Sequence, residues 1–313
     1  MYPDPSSITR VASLGAGPIG GGWTAHFLAR GYDVTAYIHN ASEQGALMDV
    51  VNTAWHSLTA LGLAEGASLD RLTITTGLEE AVAGADFVQE SAPERLDIKQ
   101  ALYERLGRIV PPEVVIGSST SGMTMTEIAA TCPTPARCVI GHPFNPPYLL
   151  PLVEIIGGKQ TDPDAVAWAA AFYEQAGKAP LVMKKEIPGF IATRLQEALW
   201  REALHMVANG EATPEDIDIA LKNGPAPRMV VQGQCMAFHV ACGSGGMATN
   251  LDQFGPALKW PWTRLEAPDL TQELRDRMVD GCNAMAGDRH FTEQAAERDA
   301  GIVAVLRALR DPA

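Results

Sequence analysis

"ITRVASLGAGPIGGGWTAHFLARGYDVTAYI", residues 8–38, decides the fold of this chain. Residues 8–14 form a short apolar run that predicts a buried strand, and a Gly-x-Gly-x-x-Gly motif follows it directly. Apolar residues then recur at helical spacing, and residues 34–38 predict a second strand. This order is typical of a dinucleotide site, because the glycines permit a tight turn and bring a pyrophosphate close to the helix N-terminus. The expected cofactor contacts in the turn are Gly15, Gly17, Pro18, Ile19 and Gly20.

Short apolar runs continue through the first part of the chain, with helical stretches between most of them. They lie at residues 72–75, 86–89, 114–117, 138–142, 152–156 and 181–183. Alternation of strand and helix predicts a Rossmann-type, doubly wound parallel α/β sheet. After residue 183 the pattern changes to amphipathic helices without a convincing strand. We therefore expect a dinucleotide-binding domain over 1–186 and an all-α substrate and dimerisation domain over 187–313.

Length and composition exclude several classes of function. A chain of 313 residues exceeds the size of a single core, and its net charge of −13 comes with no basic cluster, which argues against nucleic acid and anionic lipid as partners. No run approaches the roughly 18 apolar residues of a membrane span, and the first residues do not resemble a secretion signal, so a cytoplasmic protein is expected. The five cysteines contain no C-x-x-C pair, so no metal site is expected.

The end of the second strand leaves the choice of cofactor open. A carboxylate that binds the adenosine ribose is expected there, but the sequence has Ile38, His39 and Asn40. Loss of that acid removes the repulsion that excludes a 2′-phosphate, and His39, Asn40 and Ser42 could donate hydrogen bonds to one. They could equally form an ordinary polar loop, and no arginine stands beside them. Either NAD or NADP is therefore expected, with a slight inclination towards tolerance of NADP.

A histidine and a glutamate stand close together in "GHPFNPPYLLPLVEII", residues 141–156. His142 ends a predicted strand at the carboxyl edge of the sheet, where open α/β folds bind ligands. Glu154 lies in an apolar run, and a buried charge needs a partner. An imidazole that titrates near neutrality can accept a hydroxyl proton, and a carboxylate on its other nitrogen fixes the tautomer. The pair predicts a general base with its orienting acid.

Hydroxyl groups follow another predicted strand in "GSSTSGMTMTEIA". Ser121 could cap the helix that follows, or it could bind the reacting oxygen of a substrate. The local sequence slightly favours the cap.

Taken together, these motifs resemble the L-3-hydroxyacyl-CoA dehydrogenase superfamily from residue 8 to about 309. "SSTS", "HPFNP" and "LVE" match the family patterns and imply that Ser121 and Asn145 bind substrate and that His142 and Glu154 form the catalytic pair. "ESAPERLDIK" resembles the nicotinamide-side segment, which implies cofactor contacts at Glu94 and Lys99. In "PGFIATR", Ile191, Ala192 and Thr193 are the implied substrate contacts, with Thr193 at a position where the family usually has Asn.

Several segments resemble the carnitine 3-dehydrogenase branch of this superfamily, which implies oxidation of L-carnitine with NAD. Residues 41–70 contain no Lys or Arg that would bind the phosphates of coenzyme A, so a small free hydroxy acid is favoured. A quaternary ammonium group needs aromatic faces. The candidates are Phe144, Tyr148, Phe254, Trp260 and Trp262. Phe144 is the strongest because it lies beside His142, whereas ordinary packing is favoured for Trp260 and Trp262.

The segment 225–242 departs from that branch, with Met229 and Cys235 at positions that tend to be aromatic there, and with an unusual His239. The sequence nevertheless predicts an NAD(P)-dependent oxidoreductase acting on C3 of a small 3-hydroxy acid, foremost L-carnitine, and the resemblance implies a homodimer. Three alternatives stay open. They are an NADPH-linked reductase of another small keto or imine substrate, a 3-hydroxyacyl-CoA dehydrogenase, and a non-catalytic binding protein.

Overall fold

The structure, a computed structural model, describes residues 2–261, 263, 264, 266 and 268–310. It contains two compact units. The first comprises the chain up to Ile191 together with Ala296–Ala308, and the second comprises Ala192–Ala295. The division at Ile191 lies a few residues after the boundary expected from sequence, and residues 296–308 group with the first unit although the sequence placed them in the helical domain.

An eight-stranded sheet forms the centre of the first unit. Its strands are β1 (Arg10–Leu14), β2 (Asp33–Tyr37), β3 (Leu72–Thr75), β4 (Phe87–Glu90), β5 (Val115–Ser118), β6 (Cys138–Pro143), β7 (Leu152–Gly157) and β8 (Ala179–Val182). Their order is β3-β2-β1-β4-β5-β6-β7-β8. Each apolar run named above contributes one strand, so the Rossmann-type prediction is confirmed.

The direction of the last two strands departs from the expected parallel sheet. Strands β1 to β6 are parallel, β7 is antiparallel to β6, and β8 is parallel to β7. The reason is the connection between β6 and β7, residues 144–151, which is too short for the helical crossover that parallel neighbours require. The chain turns back instead, and β7 lies directly beside β6.

Helices cover both faces of this sheet. They are α1 (Pro18–Ala29), α2 (Gln44–Leu61), α3 (Leu78–Val82), α4 (Leu96–Ile109), α5 (Met125–Ile128) and α6 (Pro163–Gln175). Successive strand residues belong to different apolar clusters: Val11 packs with Trp23 and Phe172, whereas Ala12 packs with Tyr103. The two clusters are therefore the two faces of one sheet, as a doubly wound fold requires.

The described residues of the second unit form helices and connecting loops, with no strand among them. Its helices are α7 (Ala192–Ala208), α8 (Pro214–Asn223), α9 (Ala226–Ala241), α10 (Gly246–Phe254) and α11 (Gln272–Ala286), and α12 (Phe291–Arg310) carries the chain back to the first unit. Thr213 caps α8 in a reciprocal arrangement with Asp216, as "TPED" predicts. None of the helices in the described part of the chain is long and apolar enough to cross a membrane.

The parallel strands bring four segments to one edge of the sheet. The glycine turn follows β1, Glu90 ends β4, Ser118 ends β5, and His142 lies next to the last residue of β6. Ligands bind at this edge in open α/β sheets. The sheet order therefore places the predicted cofactor turn and the predicted histidine on the same side of the first unit.

Two glycines make room for a buried tyrosine beneath that edge. A Cβ on Gly141 would overlap the Tyr173 hydroxyl and lie 2.6 Å from the Tyr173 Cζ, and a Cβ on Gly117 would lie 2.6 Å from the same hydroxyl.

We expect Gly141→Ala to lower the free energy of unfolding by about 1–3 kcal/mol, measured by urea denaturation, because the packed core cannot absorb the methyl group. Gly301→Ala, inside helix α12, is the control, because the new Cβ would meet no neighbouring atom within 4 Å. Its free energy of unfolding should rise by about 0.5–1 kcal/mol, since Ala is favoured over Gly inside a helix. A Gly141→Ala protein as stable as wild type would contradict this account.

Candidate active site

A histidine–glutamate pair lies at the carboxyl edge of the sheet. His142 and Glu154 are direct partners in the antiparallel register of β6 and β7, and 2.9 Å separates Nδ1 from Oε2. Glu154 is 0% exposed and His142 is 5% exposed. A carboxylate so buried must accept hydrogen bonds, so the proton belongs on Nδ1, which donates it to Glu154. In the neutral ring, Nε2 is then the nitrogen that can accept a proton.

Further contacts fix both partners of this pair. The second carboxylate oxygen of Glu154 accepts a hydrogen bond from the backbone N–H of Ile191 at 2.9 Å. Phe144 and Phe190 lie against the imidazole, with ring centroids 5.4 Å and 5.2 Å from that of His142. Phe190 has a φ of +50°, an uncommon conformation for a bulky residue, which turns the chain so that the next amide meets Glu154. Sequence reasoning missed Phe190, although "PGF" before a helix was a visible signal.

Hydrogen bonds with two other segments fix the loop between β6 and β7. Lys178 donates to the carbonyl oxygens of Pro147 and Leu150, and Tyr148 donates to Asp299 at 2.6 Å. Tyr148 is consequently buried and cannot face a ligand, although the sequence had named it for an aromatic wall. Asn145 is exposed on the same loop, and Phe144 is half-buried.

Ser121 lies in the loop after β5, where Glu94 binds it. One carboxylate oxygen of Glu94 accepts from the Thr120 hydroxyl at 2.6 Å and from the Ser121 backbone N–H at 2.9 Å. The helix-cap interpretation of Ser121 is wrong, because helix α5 begins at Met125 and its cap is Thr124, paired reciprocally with Glu127. The serine hydroxyl is exposed and not committed to a helix end.

Burial alone would raise the pKa of the Glu94 carboxyl. The Thr120 hydroxyl, the Lys99 charge and the backbone N–H groups of Ser121 and Gly122 outweigh it and hold that pKa below its usual range. Glu94 is therefore ionised near neutral pH, and its charge is used to fix the loop that carries Ser121.

A buried ion pair supports this part of the site. Lys99 Nζ lies 2.6 Å from Glu90 Oε1 and 3.6 Å from Glu94 Oε2, and both Lys99 and Glu90 are buried. Glu90 also accepts from the Ser118 hydroxyl and from the backbone N–H of Ala92, each at 2.6 Å. Sequence reasoning named Lys99 and Glu94 but missed Glu90. An acid at the end of the apolar run "DFVQE" was the signal for it.

The glycine turn has the shape that a dinucleotide needs. Gly15 has a φ of +128°, and a Cβ there would lie 2.5 Å from the carbonyl oxygen of Ser91. A Cβ on Gly20 would overlap the Gly15 carbonyl, whereas nothing lies within 4 Å of one on Gly17. Helix α1 begins at Pro18, and no side chain caps its first amides. Open space beside uncapped amides fits a pyrophosphate. Pro18 is exposed there and Ile19 is half-buried.

The end of β2 differs from the sequence expectation in one respect. Ile38 is 1% exposed and belongs to the apolar core, so it presents no surface to a ligand. His39 and Asn40 are exposed beyond it. The accessible groups at this strand end are therefore those of the loop that follows.

The remaining named residues lie in several places. Ile191 is the last residue of the first unit, and Ala192 and Thr193 begin α7 in the second. Phe254 ends α10 and, like Trp260, is more than half exposed. Trp260 is therefore not a core residue, and the interface packing that was also expected of it stays a prediction. Trp262 lies outside the described residues. Met229, Cys235 and His239 are all on α9. No cluster of potential metal ligands occurs among the residues that the structure covers.

The chain belongs to the 3-hydroxyacyl-CoA dehydrogenase family. Residues 10–187 match the 3-hydroxyacyl-CoA dehydrogenase NAD binding domain, and residues 189–280 match the C-terminal domain of the same family. It is accordingly an NAD-dependent dehydrogenase with a Rossmann domain and a helical C-terminal domain.

Relatives that match nearly the whole chain carry a narrower name. The L-carnitine dehydrogenase of Streptomyces coelicolor is 59% identical to this chain, with 97% of this chain and 96% of that protein covered. The L-carnitine dehydrogenase of a Pseudomonas species is 47% identical, with 98% and 96% covered. Among solved structures, the NAD⁺-dependent 5-formyl-3-hydroxy-2-methylpyridine 4-carboxylic acid 5-dehydrogenase is 29% identical and superposes with a TM-score of 0.80 over 97% of this chain and 99% of its own.

We expect His142→Ala and Glu154→Gln to lower kcat by about 100-fold or more, because each removes acid–base assistance or its orientation. Steady-state rates measure the loss, and titration of NADH binding by fluorescence should give nearly unchanged affinity. His56→Ala on α2 is a matched control for loss of a histidine, since this residue is remote from the pair in sequence and lies on a different element. Turnover near the wild-type value in either dyad variant would overturn the assignment.

Proposed function

We propose that this protein oxidises the C3 hydroxyl of L-carnitine to 3-dehydrocarnitine with NAD as the hydride acceptor. The buried His142–Glu154 pair is the observation that carries the reaction type, with Nδ1 and Oε2 2.9 Å apart. The choice of substrate draws on the L-carnitine dehydrogenases, which are 45–59% identical to this chain over nearly its full length.

In the proposed reaction, His142 is the general base. Its Nδ1–H donates to Glu154, so Nε2 accepts the proton of the substrate hydroxyl as the C3–H bond breaks. The imidazolium that forms is stabilised by the Glu154 carboxylate, which keeps its negative charge. Bound NAD supplies the hydride acceptor. Ser121 and Asn145 are proposed to donate hydrogen bonds to the oxygen as it becomes a carbonyl.

The cofactor is proposed to bind along the carboxyl edge of the sheet. Gly17 and the uncapped amides of α1 are the proposed contacts of the pyrophosphate, supported by the open space around Gly17. Glu94 and Lys99 are the proposed contacts on the nicotinamide side. Lys99 is 1% exposed and is paired with Glu90 and Glu94, so it also holds the 91–95 loop in place.

A cationic substrate suits the charges of this chain. Residues 41–70 contain four acids and no Lys or Arg, so the phosphates of a coenzyme A ester would meet no basic group there. Phe144 is half-buried with its ring against His142, and it is the proposed aromatic face for the trimethylammonium group.

Initial rates of NADH formation with L-carnitine, 3-hydroxybutyrate and 3-hydroxybutyryl-CoA test this proposal. We expect kcat/KM for L-carnitine to exceed that for 3-hydroxybutyrate by about 30-fold or more, since a desolvated cation–π contact contributes about 2 kcal/mol. Phe144→Leu should reduce the ratio of kcat/KM for L-carnitine to that for 3-hydroxybutyrate. Phe254→Leu, measured in parallel, tests whether this aromatic residue of the second unit also affects the ratio. Faster oxidation of the coenzyme A ester, or no oxidation of L-carnitine, would overturn the substrate assignment. Reduction of a keto or imine compound with NADPH alone would favour the reductase alternative.

A cytoplasmic homodimer is proposed as the working form of the enzyme. Leu195, Leu199 and Trp200 of α7 are about half exposed or more, a large apolar surface for one helix. Leu204 lies at helical spacing from them on the same helix, but it is buried and does not contribute. Light scattering should give twice the chain mass of 33.4 kDa, and Leu195→Glu with Leu199→Glu should reduce it towards that of a single chain.

A further inference from the structure

We infer that Glu43 replaces the missing ribose-binding acid of strand β2 and makes the enzyme select NAD over NADP. This inference rests on the proposed use of NAD and names the residue that enforces it. Glu43 stands five positions after Ile38, at the N-cap of helix α2.

The position of the Glu43 carboxylate supports this role. Oε2 accepts a hydrogen bond from the backbone N–H of His39 at 3.1 Å. His39 is the second residue after β2, and the strand end lies beside the glycine turn, because Gly15 N–H donates to the Tyr37 carbonyl at 2.9 Å. In a dinucleotide-binding fold the adenosine ribose lies just beyond the second strand. Glu43 therefore brings a negative charge back to this strand end, where Ile38 has none to offer.

Three hydrogen-bond donors at this strand end are already engaged. The His39 amide is bound to Glu43, and both the backbone N–H and the hydroxyl of Ser42 donate to Asn40 Oδ1 at 3.0 Å. They belong to His39 and Ser42, two of the three residues that made NADP plausible from sequence. A phosphate would have to displace a carboxylate and an amide oxygen to reach them.

The charges around this strand end also disfavour a 2′-phosphate. Glu80, beyond the end of the neighbouring strand β3, accepts from the Thr75 hydroxyl at 2.5 Å and adds a second negative charge near this edge. The 30 residues from 41 to 70 contain no Lys or Arg, and Arg71 is paired with Asp33 at the opposite end of β2. A phosphate that carries almost two negative charges would thus be repelled, whereas two ribose hydroxyls can donate to a carboxylate.

The experiment measures binding of NADH and NADPH to the full-length protein by isothermal titration calorimetry, without any substrate. We expect wild type to bind NADH more tightly. In Glu43→Gln and Glu43→Ala, the ratio of the NADPH and NADH dissociation constants should fall by about tenfold or more, through weaker NADH binding and tighter NADPH binding. Asp49→Asn removes the same charge from an exposed position of the same helix, and it should leave the ratio within about twofold.

The inference is overturned if wild type prefers NADPH, or if both Glu43 variants keep the wild-type ratio within about twofold while retaining wild-type melting temperatures. The inference would also be overturned if the ratio of dissociation constants fell as much in Asp49→Asn as in Glu43→Gln, because the ratio would then depend on net charge and not on the position of Glu43. The test needs no substrate. A protein that binds NADH in this Glu43-dependent way but does not oxidise L-carnitine would contradict the substrate proposal and leave the role of Glu43 intact.

Discussion

The hydrogen bond between His142 and Glu154 is the interaction on which the site depends. A carboxylate with no exposed surface is tolerated only when its oxygens accept hydrogen bonds. Here the imidazole binds one oxygen and the Ile191 amide binds the other. The antiparallel register of β6 and β7 sets the two side chains opposite each other, and the short loop between the strands sets that register. Geometry of the backbone, not flexibility of long side chains, thus orients the base.

Acids that accept several hydrogen bonds recur along this edge of the sheet. Glu90 holds Lys99 and the Ser118 hydroxyl, and Glu94 holds the loop that carries Ser121. The partners of both acids lie at the same or the neighbouring strand end and on helix α4. Such local pairing leaves few groups free to reorient when a substrate binds. Groups fixed in advance can stabilise developing charge without the cost of reorganisation, which is how most of the electrostatic advantage of an active site arises.

Sequence patterns predicted the positions of strands and helices better than the direction of each strand or the contacts of individual side chains. Every predicted strand exists, because apolar runs bounded by glycine, proline and polar residues mark buried strands in this fold. The reversal at β7 was not foreseen, since a parallel and an antiparallel strand have the same apolar pattern when both faces are covered. Ser121 was misread as a cap because "TMTE" three residues later offered the better capping box. Leu204 faces its own unit, although helical spacing groups it with the exposed Leu195 and Leu199.

The sequence by itself determined the Rossmann-type fold, the helical second part, the glycine turn and the pairing of His142 with Glu154. These depend on local periodicity and on short motifs whose spacing a linear reading preserves. Only the tertiary structure decided that Ile38 is core, that Tyr148 points away to Asp299, and that Glu43 stands at the end of β2. Those facts depend on which side chains from distant elements meet, and packing and hydrogen bonding between elements select them after the chain has folded.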